Sequence, residues 1–250
     1  MWSDISIIIW KEWKELMNSR GSRRSSWAGI LKMVIIFGVI LPIQWGDIWV
    51  NSAAPLSMWV LIPLLLLGAI IADSIAGERE RHTIETLLAS RLSDQVIILG
   101  KIGAAVSYVW LVTQAVFIVA LIPVNFMHWQ GHLSVYSLKV ALSGMLLSFL
   151  AACLMSNIGV LISLRAETVK QAQQTLGISV YVFAFIVPLA GIYALRFIPE
   201  ETRNQLVQPI LGGEIGSIVL LASVGLILLN VGLFAVSKTR FQRTLLISNI

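Results

Sequence analysis

The chain has 250 residues, of which 57% are hydrophobic and only 12% are charged, and its mean hydropathy is +0.85. Soluble domains average roughly 45–50% apolar and about 25% charged residues, so this composition excludes a water-soluble enzyme. The net charge is +5, and the single cysteine, Cys153, excludes an internal disulfide and a multi-cysteine metal site. Cys153 lies in an apolar run, which is typical of a small buried residue rather than a reactive thiol.

The N-terminal segment, residues 1–24, is predicted to form an amphipathic helix followed by a basic turn. Its apolar residues fall on one side of a helical wheel, which carries Trp2, Ile5, Ile9, Trp13 and Leu16. Only Glu12 intrudes on the edge of that side. The pattern fits a helix lying in the membrane interface, or else an ordinary cytoplasmic helix packed on the bundle. Because charged residues interrupt the segment, we expect no cleavable signal peptide.

Six apolar stretches are long enough, or nearly so, to cross a bilayer as helices, since about 20 residues span a ~30 Å hydrocarbon core. They lie at about residues 27–45, 56–72, 96–124, 140–164, 176–195 and 215–236. The second is the shortest and contains Pro63, which predicts a kink or an extension beyond residue 72. The alternation expected of a membrane barrel does not recur. The sequence therefore predicts an all-α integral membrane protein with a single transmembrane domain over residues 1–250.

The basic residues favour one orientation of these spans. All but three of the 18 lysines and arginines lie in the N-terminal segment, in the loops after spans two and four, or in the C-terminal tail. Lys139, Arg196 and Arg203 remain for the other side. By the positive-inside rule, we expect both termini to be cytoplasmic in a multi-pass protein of the cell membrane.

The densest charge follows span two, in a predicted cytoplasmic loop over residues 73–95. Glu78, Arg81 and Glu85 carry opposite charges at spacings of three and four, which can pair along a helix. An apolar stripe at helical spacing runs beside them, formed by Ile84, Leu87, Leu88 and Leu92. Such a stripe can dock into a groove of another protein, or the segment can be a solvated connector whose charges keep it out of lipid. Spacing alone leaves both readings open.

The same loop resembles the signature of ABC-2 type transporter permeases. In that family a segment ERE-x-GT-x-E-x-LL precedes a P-[VL]-S turn and a Gly-Lys pair that begins span three. This chain reads Gly77-Glu78-Arg79-Glu80-Arg81-His82-Thr83-Ile84-Glu85-Thr86-Leu87-Leu88, then Leu92-Ser93 and Gly100-Lys101. The run Trp10-Lys11-Glu12-Trp13-Lys14-Glu15-Leu16 and the six spans also fit the family pattern. His82 and Arg91 depart from it, where glycine and proline are usual.

The resemblance implies the membrane-spanning permease subunit of an ATP-driven ABC exporter. By position, its ATPase-docking coupling helix between spans two and three would comprise Glu78, Arg79, Glu80, Thr83, Glu85, Leu87 and Leu88. The working unit would contain two copies of a cytoplasmic ABC ATP-binding subunit, which bind ATP and Mg²⁺. A second permease chain, identical or paralogous, would complete it among membrane lipids. Similar permeases carry a re-entrant helix in the outer loop that corresponds to residues 197–214, for which a plain surface loop is the alternative.

The chain itself offers little chemistry. It has no Gly-x-x-x-x-Gly-Lys-Ser/Thr loop and no catalytic constellation, so it is not expected to be an enzyme or to bind ATP or another cofactor. Lys101 is expected to be an interfacial anchor. His128 and His132 lack a third ligand, so no metal site is expected. The basic turn at residues 20–24 suits anionic headgroups, and no nucleic acid is expected.

Two rival functions remain open beside export. The first is an ABC-type membrane subunit that serves signalling, assembly or processing rather than transport. The second is an ATPase-independent secondary transporter, which is weakened because no carboxylate lies mid-span. The polar residues that do lie mid-span are expected to bond across helices, and they are Gln114, Ser148, Ser156, Asn157 and Asn230.

Overall fold

The computed structural model describes residues 2–18, 23–52, 54–80, 92–129, 131–166, 168–182 and 215–240, and isolated positions between 186 and 199. Every regular element in these ranges is a helix, so the all-α prediction is confirmed for them. The helices are α1 Trp2–Asn18, α2 Arg23–Ile35, α3 Leu41–Trp45, α4 Asp47–Asn51, α5 Ala54–Glu80, α6 Asp94–Met127, α7 Leu138–Ser163, α8 Val169–Tyr181 and α9 Ile215–Arg240. A π-helical turn, Ile36–Ile40, joins α2 to α3.

Among the described residues, five helical stretches are long and apolar enough to cross a membrane. They are Ala28–Trp45, Pro55–Glu78, Gln95–Met127, Leu138–Ser163 and Val219–Ser237, and they correspond to predicted spans one to four and six. Span two extends beyond residue 72 as one helix that contains Pro63, which was one of the two predicted outcomes. The predicted fifth span begins as α8, and most of its second half lies outside the described residues.

The centre of the bundle is the contact between α5 and α7, which carry spans two and four. A Cβ atom added at Gly144 would collide with Trp59, and one added at Gly159 would collide with Ile71. The absence of side chains at these two glycines lets the helices approach closely, which strengthens van der Waals packing in a membrane. About 60% of each span is accordingly buried: 59% in span two and 61% in span four.

The outer helices of the bundle bury much less surface. Only 11% of the Val219–Ser237 span is buried, and α9 rests on α7 along one side.

Asn157 Nδ2 of α7 donates to Asn230 Oδ1 of α9 at 3.2 Å. Gln114 Nε2 of α6 likewise donates to Ser148 Oγ of α7 at 3.0 Å. These bonds confirm the prediction for Gln114, Ser148, Asn157 and Asn230. For Ser156 it is wrong, since its buried Oγ has no hydrogen-bond partner among the described residues.

Aromatic side chains close one end of the bundle, which we call the Tyr136 end. Trp59 stacks on Phe117 with ring centroids 3.9 Å apart, and Trp49 Nε1 donates to Tyr136 Oη at 3.0 Å. Trp49 is fully buried and Trp59 is 2% exposed. These rings fix α4 and the start of α5 against α6 and the segment before α7.

A glycine breaks the helix between α3 and α4 at the same end. Gly46 has a φ of +51°, a conformation that side chains other than glycine's rarely adopt. A Cβ atom here would also lie 2.8 Å from Cδ2 of His128, so the ring of His128 packs directly on the Gly46 backbone. The break therefore requires glycine for both conformation and space.

Candidate functional site: the Lys101 junction

Charged side chains from three separate helices meet at the other end of the bundle. Lys101 Nζ of α6 lies 2.8 Å from Glu78 Oε1 of α5 and 3.0 Å from Glu12 Oε1 of α1. It also donates to the Ser74 carbonyl oxygen at 2.7 Å. The three N–H donors of the ammonium thus have three oxygen acceptors. We call this cluster, formed by Glu12, Ser74, Glu78 and Lys101, the Lys101 junction.

The Lys101 junction is nearly closed to solvent. The side chain of Lys101 is 3% exposed, and those of Glu12 and Glu78 are 12% and 14% exposed. A buried ammonium is costly unless it is paired and hydrogen-bonded, and here both conditions are met. Removing Lys101 would leave the carboxylates of Glu12 and Glu78 without the cation between them, so this lysine joins the three helices at this point.

Local sequence explains why these groups converge. Ser74 and Glu78 are four residues apart on α5, so they lie on one face, and the Ser74 carbonyl and the Glu78 carboxylate reach the same ammonium. Glu12 sits at the edge of the apolar side of α1, which brings its carboxylate to the α6 surface. Lys101 follows Gly100, where α1 comes closest to α6.

Two glycines of α6 form the seat for α1. A Cβ atom at Gly100 would lie 2.5 Å from Cγ2 of Ile8, and one at Gly103 would lie 3.1 Å from Cδ1 of Ile9. Ile5 and Ile8 are buried in a small cluster with Val96, Ile97 and Ile98 at the start of α6. Small residues at this contact allow the close approach that places Glu12 beside Lys101.

The other half of α1 is fixed by Trp13. Its Nε1 donates to Ser107 Oγ at 3.0 Å, and its ring meets Tyr108 edge-on at a centroid distance of 5.7 Å. From Ile8 beside Gly100 to Trp13 beside Ser107, the contacts advance in the same direction along both helices. Helix α1 therefore follows α6 rather than crossing it.

The apolar stripe predicted for α1 thus faces the bundle. Ile5 is buried, whereas Ile9, Trp13 and Leu16 are half-buried, and the side chain of Trp2 lies outside the described residues. The predicted apolar side therefore packs on α6, and the interfacial position of α1 stays a prediction. Among the described side chains of α1, the large apolar ones that are exposed form a different set, Ile7, Trp10 and Met17, which are 62%, 66% and 49% exposed.

Lys11 adds a second cation at the rim of the junction. Its Nζ lies 3.8 Å from Glu12 Oε1 and 3.3 Å from Glu15 Oε1. Partial burial alone would lower the pKa of Lys11, but the charges of Glu12 and Glu15 outweigh it and raise that pKa above its ordinary value. Lys11 therefore stays charged, although an exposed pair of this kind contributes little stability.

The predicted docking residues divide between described and undescribed parts of the chain. Glu78 belongs to the junction, and the exposed Glu80 Oε2 accepts from the backbone N–H of Val169 at 3.3 Å. Arg79 belongs to α5, but its side chain lies outside the described residues. The remaining four, Thr83, Glu85, Leu87 and Leu88, also lie outside them. The structure thus places the start of the predicted coupling segment against two different neighbours.

A model of one protein family, described as ABC-2 type transporter, matches residues 3–196. The chain belongs to this family. The matched region contains all four residues of the Lys101 junction and every helix from α2 to α8. No curated protein matches the chain. Family membership makes the chain a permease subunit embedded in a membrane and implies an ABC ATPase as its partner.

Sequence reasoning missed the junction of this permease. Lys101 was expected at the membrane interface, but the structure buries it between two carboxylates. One signal did point to the site: Glu12 was the charged residue on the otherwise apolar side of α1. A carboxylate in that position requires a cation or donors from a neighbouring helix, yet the sequence pattern does not say which helix provides them.

Proposed function

We propose that the chain is the membrane-spanning subunit of an ATP-driven ABC exporter that works as a dimer with two cytoplasmic ATP-binding subunits. The observation that carries this proposal is the Lys101 junction in a chain of this family. The junction joins the end of α5, where the predicted coupling segment begins, to α1 and α6. A push on that segment would reach two further helices directly.

The orientation in this proposal follows from charge. The Lys101 end would be cytoplasmic, together with both termini and residues 73–95, because the basic residues concentrate on that side of the spans. The Tyr136 end would face outward. The permease would lie in the cell membrane with six spans, and residues 197–214 would form the outer loop or a re-entrant helix.

The mechanism would be conformational. ATP-driven closure of the ATPases would push on Thr83, Glu85, Leu87 and Leu88, and hence on the end of α5. A hydrogen bond to a charged group contributes about 1.5–3 kcal/mol, so α1, α5 and α6 would move together at the junction. The spans would then alternate between inward and outward access. ATP and Mg²⁺ would bind only to the partner subunits.

The test is quantitative co-purification of the ATP-binding subunit with the tagged permease. Leu87→Asp should reduce the bound ATPase at least about tenfold, because a buried charge at a docking surface costs several kcal/mol. Leu133→Asp is the matched control, since Leu133 is 70% exposed at the Tyr136 end. Wild-type amounts of ATPase bound to the Leu87→Asp permease, with normal hydrolysis, would contradict the docking assignment.

A further inference from the structure

Two carboxylates at the end of α5 hold two different parts of the permease. Glu78 binds Lys101 of α6 and, through it, Glu12 of α1. Glu80 accepts a hydrogen bond from Val169, the first residue of α8. Residues two apart on a helix do not face each other, so these two side chains reach different neighbours.

We infer that the end of α5 acts on the bundle through two separate links. The Glu78 link joins it to α1 and α6, and the Glu80 link joins it to the start of α8, the helix in which the predicted fifth span begins. Both glutamates, with Lys101, are positioning residues for the coupling movement. The two links are contacts within the permease. Only the source of the movement, the partner ATPase, rests on the proposed function.

The Glu78 link is expected to remain intact during the coupling movement. The ammonium has three oxygen acceptors within 3.0 Å, and it is 3% exposed. Separating Glu78 from it would leave the buried Lys101 with only Glu12 and the Ser74 carbonyl. Charge-assisted bonds in a dry site are the strongest hydrogen bonds available to a protein. This link therefore moves α1, α5 and α6 as one unit.

The Glu80 link is expected to break more readily than the Glu78 link. The first N–H groups of a helix have no partner within it, and a carboxylate near them is also favoured by the helix dipole. The Val169 N–H donates to Glu80 Oε2, while the Gln171 N–H donates to Thr168 Oγ1 at 3.2 Å. The Glu80 bond is 3.3 Å long and exposed to solvent, so water can replace the carboxylate. The first turn of α8 can therefore separate from the end of α5 while the Glu78 link stays closed and the buried Leu176, further along α8, stays packed near Gly68 of α5.

Hydrogen exchange with mass spectrometry on the purified full-length permease tests the two links separately. Glu80→Ala should accelerate exchange about two- to fivefold in the first turn of α8, because a carboxylate at a helix start contributes a modest stabilisation, and α1 should be unaffected. Lys101→Met should accelerate exchange in α1 about tenfold or more, because it removes the cation that lies between two largely buried carboxylates, and the start of α8 should be unaffected.

Matched control variants test whether removing any charged side chain from these helices accelerates exchange. Lys14→Met and Lys170→Met remove exposed lysines from α1 and α8, and both should exchange as wild type does. Glu12→Gln keeps an acceptor for the ammonium and should loosen α1 less than Lys101→Met, and Lys101→Arg should restore most of the protection. Equal loosening of α1 and α8 by Glu80→Ala, or by Glu12→Gln, would overturn the two-link inference.

A second arm uses the complex of permease and ATPase, trapped with ATP and vanadate. Trapping should change exchange in both α1 and the start of α8 in the wild-type complex, and only in α1 with Glu80→Ala. A response of α8 that survives Glu80→Ala would overturn the inference. A wild-type permease that binds no ATPase would instead refute the proposed function, and the exchange results on the free permease would still stand or fall by themselves.

Discussion

The two ends of the bundle are held by different chemistry. At the Tyr136 end, Trp59 stacks on Phe117 and Trp49 bonds to Tyr136, whose burial raises the pKa of its phenol and keeps it protonated. At the Lys101 end, one ammonium holds two carboxylates from different helices. Stacked rings are held by area and shape, whereas an ion cluster depends on the position of each charge. The ring end thus suits a fixed hinge, and the ion end suits a point where movement enters.

The largest effect is expected at the fixed end. Trp59→Ala removes a ring that is 2% exposed and that packs against Gly144 and Phe117. We expect a loss of about 3–5 kcal/mol in stability, since truncation of a buried aromatic residue leaves a large cavity. Thermal unfolding of the purified permease in detergent measures this. A variant as stable as wild type would show that the rings do not hold this end.

The next effect is expected at the Lys101 end. Glu78→Ala removes one of three acceptors from the buried ammonium, which should cost about 1.5–3 kcal/mol, typical of a hydrogen bond to a charged group. Because we propose that movement of the coupling segment passes through this contact, coupled ATP hydrolysis should fall much more than that loss of stability explains. Hydrolysis by the complex in lipid vesicles, beside the unfolding temperature, checks this. A loss of stability with unchanged hydrolysis would make the junction purely structural.

A third prediction concerns the seat of α1. Gly100→Ala places a methyl group against Ile8, whose Cβ lies 2.7 Å from the added atom, so α1 must shift. We expect a cost of about 1–3 kcal/mol, typical of overpacking, and faster hydrogen exchange in α1 as the helix moves. The control is Gly225→Ala, since a Cβ atom there meets nothing within 4 Å. If both variants unfold at the same temperature, α1 is not seated on Gly100.

The smallest effect is expected from the hydroxyl of Tyr136. Tyr136→Phe keeps the ring but removes the partner of Trp49 Nε1 and the donor to the Phe117 carbonyl oxygen. A buried donor left without a partner costs about 1–3 kcal/mol, and the lower value applies if a water molecule reaches Trp49. Thermal unfolding measures this loss too, and coupled hydrolysis should be unchanged. A large loss of coupled hydrolysis would contradict the distinction between the two ends, because it would show that the Tyr136 end also takes part in coupling.

Hydropathy was enough to predict the helices and most of the spans, because a helix that crosses a membrane needs a long apolar run whatever it packs against. Hydropathy could not distinguish the buried span of α7 from the largely exposed span of α9, because both spans are strongly apolar. The distinction comes from Gly144 and Gly159, whose missing side chains admit Trp59 and Ile71. That fit is visible only once the helices are side by side.

The candidate site was also predictable only in part, because the sequence does not show which helices lie side by side. The family signature drew attention to Glu78 and Glu80, but their partners, Lys101 and Val169, belong to other helices. The spacing of charges predicted pairs along one helix, such as Glu78 with Arg81, whereas the described contacts of Glu78 include an ion pair between helices. Periodicity reports which side of a helix a residue occupies, not which neighbour covers that side.

We propose that the Lys101 junction transmits movement through its charges. Exchanging the charges tests it most directly, by comparing Lys101→Glu, Glu78→Lys and the double variant in the complex with its ATPase. We predict that each single variant loses most coupled ATP hydrolysis in lipid vesicles, and that the double variant, which restores the opposite-charge pair, recovers at least about half of it. A double variant no better than the worse single one would contradict the account.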